Sequence, residues 1–577
     1  MGLVNSAMQI GRSALQSYQS ALQVTGNNVA NVGNPDYTRQ TLGLSAVHGT
    51  ALPEGLQPGA GVVLNELKRN LDEALENRLR AAIGEKESAG AIQDSLGRIE
   101  TLFDDINGLG ISSRLTTFFN SFSDVQNTPA DLALRDLVVA NGASLADGLQ
   151  FVRDQLKAIG GDIDGQIGEL VERADVLAGQ IAELNGEIAA AGAGNNGAAH
   201  ALLDQRDAVL RELSEIVDVT VRPQPDGGIY VYAGSEPLVM GGVSRGLTAE
   251  TTLEDGFERT SVEFGDTSGP VPLGAGRLRG LITARDEHAF GRIEAVDEFA
   301  AALIFEVNRI HSEGQGLTAF DSVTGTYLVQ DTTAALNSAD AGLAFVPRNG
   351  SFYIAVTDQV SGTVVAEQIE VDLDGIGDDD TTLESLVADI NAKVSGVTAE
   401  ITAGGRLKID AEAGFAFSFG HDGVDFRDDS SNVLAALGIN TFFEGSNASS
   451  IAVRGGLAES SSQLAVSMVD LSGDGSNAGR LSALATSASE LLAGATVVEG
   501  YNRISNAVAQ AGAAALDDVE QSDAVLSALQ AQKNAISGVN LDEEAIALLK
   551  FERAFQGAAR YISTVDRLLR EMIALVR

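Results

Sequence analysis

Gly242-Val243-Ser244-Arg245-Gly246 spells G-x-S-x-G, the pattern that holds a nucleophilic serine on a sharp strand-to-helix turn. Acyl transfer there needs a strand before the serine, an amphipathic helix after it, and a later acid and histidine. Leu247, Thr248 and Ala249 lead instead into polar, strand-like sequence, so a glycine-rich loop is the expectation. Asp372-Leu373-Asp374-Gly375-Ile376-Gly377-Asp378-Asp379-Asp380 resembles a calcium loop. Its fifth position is Ile376, and its twelfth is Leu383 where a bidentate glutamate is needed. Asp470–Gly475 fails in the same way, with Leu481 at the twelfth position. Both stretches, and Asp425, Asp428 and Asp429, read as acidic turns with at most weak, adventitious calcium binding. His48, His200, His288, His311 and His421 form no H-x-x-x-H or H-x-H pair, and there is no cysteine and no P-loop. No catalytic residue, metal ligand or cofactor is assigned, and an enzyme is not expected.

At 577 residues the chain is long enough for three to four domains of about 150 residues each. Its formal net charge of −42 argues against nucleic acid or an anionic membrane as a partner. Residues 1–50 carry a net +1 and residues 541–577 a net zero, which leaves −43 to residues 51–540. Near-neutral ends can pack densely against copies of themselves, while an acidic body stays solvated. The first 30 residues lack the basic start and continuous apolar core of a signal peptide. No run approaches the ~18 apolar residues of a membrane span, so no membrane insertion is expected. Met1-Gly2-Leu3-Val4-Asn5-Ser6 matches the short, weakly specific myristoylation pattern.

Positioning elements follow from periodicity. Residues 3–30 read as an amphipathic helix stopped by the Asn- and Gly-rich stretch up to Pro35, and 36–64 as extended or looping. A helical block is expected over 65–217, clearest at Ile163, Ile167, Leu170, Ala174, Leu177, Ile181, Leu184 and Ile188. Strands dominate 218–281, with a hairpin at Asp226-Gly227-Gly228, and helix returns at 283–311. Residues 316–454 read as strands with one short helix, Thr382–Val394, and a turn at Gly404-Gly405; residues 460–540 read as helix again. The fold class is therefore multidomain α+β. Residues 1–40 with 541–577 form a coiled-coil-like assembly domain, 41–315 with 460–540 a helical domain with a β segment, and 316–459 an inserted β-rich domain.

Both ends carry apolar seams on a 3.5-residue period, which ask for a partner helix. The N-terminal seam is Val4, Met8, Gly11, Leu15, Tyr18, Leu22, Thr25 and Val29. The C-terminal seam is Leu541, Ala545, Leu548, Phe551, Phe555, Ala558, Ile562, Val565, Leu569, Met572 and Val576. Between the first seam and the chain that follows lie Asn27, Asn28 and Asn31, then Pro35, Tyr37, Arg39 and Gln40. The asparagines suit capping of the open carbonyls at the helix end, Pro35 stiffens the exit, and Tyr37 and Arg39 are within reach of a neighbouring subunit.

Asn27-Asn28-Val29-Ala30-Asn31, continuing through Pro35, Tyr37, Arg39 and Gln40, resembles the N-terminal signature of the axial proteins of the bacterial flagellum: rod, hook and hook-associated proteins. Ser537-Gly538-Val539-Asn540-Leu541-Asp542-Glu543-Glu544, with Phe555-Gln556 and Ile562-Ser563-Thr564, resembles the C-terminal signature of the same family. The form of Ser537–Glu544, the segments Leu202-Leu203-Asp204-Gln205-Arg206-Asp207 and Asn308-Arg309-Ile310-His311-Ser312-Glu313-Gly314, and the long helical block point to the hook-associated members. Hook and rod proteins are mostly β between their terminal helices. The resemblance covers the termini and roughly 65–315 and 460–577, and matches 316–454 in position alone.

The resemblance implies a structural subunit without catalysis, lying outside the cell at the junction of hook and filament. Export would run through the flagellar type III apparatus without a cleaved signal. The terminal helices would fold on assembly into a ring or helical homo-oligomer. Hook protein and a second junction protein would be its neighbours, and an export chaperone would hold Phe551, Phe555, Ile562 and Leu569. Another axial subunit, or a secreted adhesin or enzyme, are the alternatives.

Overall fold

The computed structural model describes residues 2–48, 59–104, 110–192, 198–254, 256–377, 379–469 and 473–575. The side chain of Val4, together with Met1, Pro53, Pro58, Asp378, Asp470 and Val576, lies outside them. The fold is mixed α+β, and the chain divides into two compact units. The first holds Met1–Asp94, Ile163–Ala284 and Ala514–Arg577; the second holds Ser95–Asp162 and Arg285–Ala513. These borders differ from those of the three-part nesting expected above. Three of them fall inside the helices Glu73–Phe103, Leu132–Gly192 and Val497–Ser537.

In the first unit the N-terminal helix, Gly2–Ala30, is followed by an antiparallel hairpin of Gln40–His48 and Gly59–Arg69, with Gln40 opposite Arg69. Expectation and structure differ here: residues 65–69 are strand. Helix begins only at Glu73, where Asp72 Oδ1 accepts the backbone N–H groups of Ala74 and Leu75 as an N-cap. The helix Leu132–Gly192 starts just after Pro129, and the next proline is Pro223, so nothing in its 61 residues breaks the backbone ladder. Within this unit its seam is as read: Ile163, Ile167, Ala174, Leu177, Ile181, Leu184 and Ile188 are buried, and Leu170 is half-buried. Val219–Pro223, Ile229–Ala233, Glu236–Met240 and Val243–Ser244 form an antiparallel meander, and the Asp226-Gly227-Gly228 turn joins its first two strands as expected.

In the second unit the helix Gly291–His311 buries Ile293, Val296, Phe299, Leu303 and Val307. Two three-stranded sheets occupy the region expected to be β-rich. One orders Val364–Val371, Gly350–Asp358 and Phe415–Phe419; the other orders Val397–Ile401, Leu407–Ala411 and Ser322–Thr324. The helix Leu383–Lys393 opens on a Thr382/Ser385 capping box. The helical expectation for 460–540 holds only from Val497 onward, apart from the short helix Ser476–Ala483. Ahead of that short helix, the Asp474 carboxylate accepts the N–H groups of Met468 and Ser476.

Candidate functional site: where the two chain ends meet

The N-terminal and C-terminal helices, Gly2–Ala30 and Leu541–Leu575, pack against each other within one chain. Gly11 makes the close approach possible: a Cβ there would run into the side chain of Ile562. The N-terminal helix also lies on the strand Gly59–Arg69, where Ser17 Oγ donates to the carbonyl of Val62 at 3.3 Å. Facing two partners changes which residues are hidden. The fully buried line is Gly11, Ser17, Ala21, Thr25 and Asn28, all small or polar. Met8, Leu15, Tyr18, Leu22 and Val29 are half-buried along its flanks.

On the C-terminal helix only the middle of the seam is covered. Val565 is buried, and Phe551, Phe555, Ile562 and Leu569 are half-buried. Leu541, Leu548 and Met572 are exposed, at 51%, 37% and 49%. Ile546, Leu549, Leu568 and Ile573 are exposed beside them, so this helix carries more apolar surface than its partner covers.

The two signatures converge on one side chain. Asn28, 1% exposed, donates Nδ2 to the carbonyl of Gln40 (2.9 Å) and to Glu544 Oε2 (3.1 Å). Its Oδ1 accepts the Tyr37 hydroxyl (2.7 Å) and the Gln40 backbone N–H (3.1 Å). Both amide protons and the oxygen are thus engaged, the complete use of an asparagine side chain. Glu544, with 3% of its side chain exposed, accepts Arg39 Nε on Oε1 at 2.8 Å, and Arg39 Nη1 pairs with Glu543 at 2.7 Å. The Arg39 backbone N–H donates to the carbonyl of Ser537 at 3.1 Å. Burial, then the carboxylates of Asp204 and Glu544, push the Tyr37 hydroxyl up to about 12, so it stays a donor.

Local sequence explains the carboxylate's position. Gly538 closes the helix Val497–Ser537, its N–H donating to the Asn534 carbonyl at 3.0 Å. Asn540 then caps the next helix, its Oδ1 accepting the Asp542 N–H at 2.9 Å. Glu544 therefore sits in the first turn, where helix polarity favours an anion.

Several expected roles shift. Asn31 does cap, donating Nδ2 to the Asn27 carbonyl at 2.9 Å and to Asn27 Oδ1 at 3.1 Å. Asn28 does not cap; it joins the two ends. Tyr37 and Arg39 bond within their own chain, to Asn28 and to Glu543 and Glu544. Pro35 is exposed at the exit, and Asp36 next to it pairs with Arg211.

Ser244, expected in a glycine-rich loop, lies instead on the short strand Val243–Ser244. Ser244 is followed by the strand Leu247–Glu254 and no helix, while Arg245 pairs with Asp266 and lies 4.0 Å from the Phe264 ring centroid. Asp372, Asp374 and Asp380 cluster, with Asp374 and Asp380 accepting loop N–H groups. The pair Ser418–His421 has its imidazole set the wrong way for a base: Nδ1 accepts the Gly423 N–H, so Nε2 carries the proton and donates to Ser418 Oγ.

The segment Asn308–Gly314 ties the second unit together. Asn308 bonds the backbone of Phe442 and Phe443; His311 Nδ1 donates to the Asn440 carbonyl and Nε2 accepts the Ala465 N–H. Glu313 accepts Arg480 at 2.6 Å and the Asp429 N–H at 3.0 Å. These are buried structural bonds.

The family model described as "Flagellar hook-associated protein FlgK helical domain" matches residues 96–326, and "Flagellar basal body rod FlgEFG protein C-terminal" matches 531–575. Flagellar hook-associated protein 1 of Salmonella typhimurium is 30% identical over 324 residues, 54% of this chain and 57% of that one. The alignment therefore spans little more than half the length of that relative. Flagellar hook-associated protein 1 of Bacillus subtilis is 25% identical over 98% of this chain and 97% of its own. The solved flagellar hook junction protein FlgK from Burkholderia pseudomallei shares the fold, with a TM-score of 0.51 at 16% identity over 80% of this chain and all of that one. With both terminal signatures joined at Asn28 and Glu544, the chain is similar to flagellar hook-associated proteins over these matched stretches.

Proposed function

We propose that the chain is a structural subunit of the bacterial flagellum that forms the junction between hook and filament and assembles through its terminal helices. The observation that carries this reading is the C-terminal helix. Its inner face is held by the N-terminal helix and by Asn28 and Arg39, while Leu541, Ile546, Leu549, Leu568, Met572 and Ile573 remain exposed for neighbouring copies. Hook protein, a second junction protein and an export chaperone are the partners of this reading, in an extracellular ring or helix of copies. Catalysis has no part in it. No helix among the described residues is long and apolar enough to cross a membrane. The four helices between Glu73 and Ile216 favour a junction protein over a hook or rod subunit, which would be mostly β there.

Removal of residues 1–40 or 541–577 should abolish incorporation at the hook tip, scored by immunogold labelling of isolated hook–filament structures together with motility. Wild-type motility after either deletion would sink the proposal. Phe555→Asp should weaken both chaperone capture and incorporation while leaving the remainder of the fold unchanged.

A further inference from the structure

Terminal assembly leaves the Leu202–Asp207 segment without a role. Within the first unit, the strand Gly59–Arg69, the start of helix Glu73–Phe103, the helix Ala198–Ile216 and the hairpin of Val219–Pro223 with Ile229–Ala233 line a cavity of about 480 Å³. Arg80 and Arg206 line it, each only 6% exposed. Arg80 Nη2 donates to Asn77 Oδ1 at 2.7 Å; Arg206 Nη1 donates to Asn185 Oδ1 at 3.1 Å and to the Gly227 carbonyl at 2.9 Å. These acceptors are neutral, and among the described residues Nε of both guanidiniums has no partner.

Carboxylates nearby are already engaged. Asp204 and Asp207 pair with Arg69, and Glu76 pairs with Lys533. Glu73, the remaining acid of the lining, is exposed. Among the described residues no carboxylate lies within ion-pairing distance of Arg80 or Arg206. Burial lowers the proton affinity of both guanidiniums, and the charges of Asp207 and Glu73 offset it only in part.

We propose that this cavity binds an oxyanion, a carboxylate or a phosphate, between Arg80 and Arg206, with Leu203 and Leu210 as apolar walls. A guanidinium fork matches two oxygens of either group, and in a chain of formal charge −42 the cavity is a local inversion of sign. Such a group is supplied by a free anion or by an acidic side chain of a second copy. The proposal stands apart from the assembly reading and survives its failure.

The test is a thermal melt of the full chain at fixed ionic strength, with chloride as reference and inorganic phosphate or succinate added. A rise of about 2 °C or more at roughly 10 mM of either anion is expected, as for a ligand that binds only the folded state. Arg80→Met should abolish the rise and, in chloride, melt no lower than wild type, because a poorly neutralised buried charge has gone. Should that variant not fold, Arg80→Lys keeps the charge without the fork and should raise the half-saturating concentration at least about tenfold. No rise with either anion up to about 50 mM, or an equal rise in both variants, overturns the proposal. Sedimentation velocity separates the sources: self-association reversed by succinate supports a neighbour's carboxylate, and an anion-responsive monomer supports a free anion.

Discussion

Asn28 Nδ2 lies 3.1 Å from Glu544 Oε2, a buried hydrogen bond across 516 positions of chain. It joins the residue at the centre of the N-terminal motif to the first turn of the last helix. Removing the carboxylate leaves Asn28 Nδ2 and Arg39 Nε short of an acceptor. Glu544→Ala should therefore weaken docking of the ends by about 2–3 kcal/mol. Hydrogen exchange within 541–575 should rise in that variant while exchange in 291–311 stays the same.

The contact of Gly11 with Ile562 gives a second test. Gly11→Val should force the terminal helices apart and cost about 1–3 kcal/mol. Ile562→Ala makes room, so the double variant should recover part of that loss. A double-mutant cycle read by limited proteolysis of the ends checks it: additive effects would show that the two residues do not touch.

Cap chemistry supplies a smaller effect. Asn540→Ala removes the acceptor of the Asp542 N–H and should lower local stability of the last helix by about 1 kcal/mol. Fraying should be confined to its first turns, visible as faster exchange at 541–544.

Acid stability carries an opposed pair. Burial depresses His311 to about 3 from 6.5, so its stabilising contribution is full above pH 6.5 and is lost as pH falls from 6.5 toward 3. Burial raises Asp429 from 3.8 to about 6, so its ionisation costs stability above pH 6, and that cost is relieved as pH falls from 6 toward 3.8. The two slopes, each up to about 1.4 kcal/mol per pH unit, oppose one another between pH 6 and 4. His311→Gln removes one of them, so relative to wild type its urea stability should improve on acidification through that window. In wild type the His311 ring signals should not titrate between pH 8 and 4; a midpoint near 6 would contradict the buried, Nδ1-protonated state.

Periodicity and proline placement carried much of the architecture. The seam from Ile163 to Ile188, the Asp226-Gly227-Gly228 hairpin and the pairing of the terminal helices were legible because each rests on local spacing. The hairpin from Gln40 to Arg69 was not, since its strands pair over a long connection and their alternation is weak. Asp72, a ready N-cap, marks the true helix start that the apolar pattern alone put too early. For the site, the two motifs were visible as residue types, but their joining was not. Asn28 looked like a cap because asparagine at a helix end usually is one, and only tertiary geometry supplied Glu544 as its partner. Of the small buried residues on the N-terminal helix, Gly11 and Thr25 fall on the 3.5-residue seam, whereas Ser17 and Ala21 lie off it and were hidden.

The bond between Asn28 and Glu544 also sets a rule for biosynthesis. During translation the amide of Asn28 emerges long before its acceptor exists, so the knot stays untied throughout elongation. Any product that stops short of Glu544 presents Asn28 and Arg39 without their distal partner, and so bears a chemical mark of its own truncation.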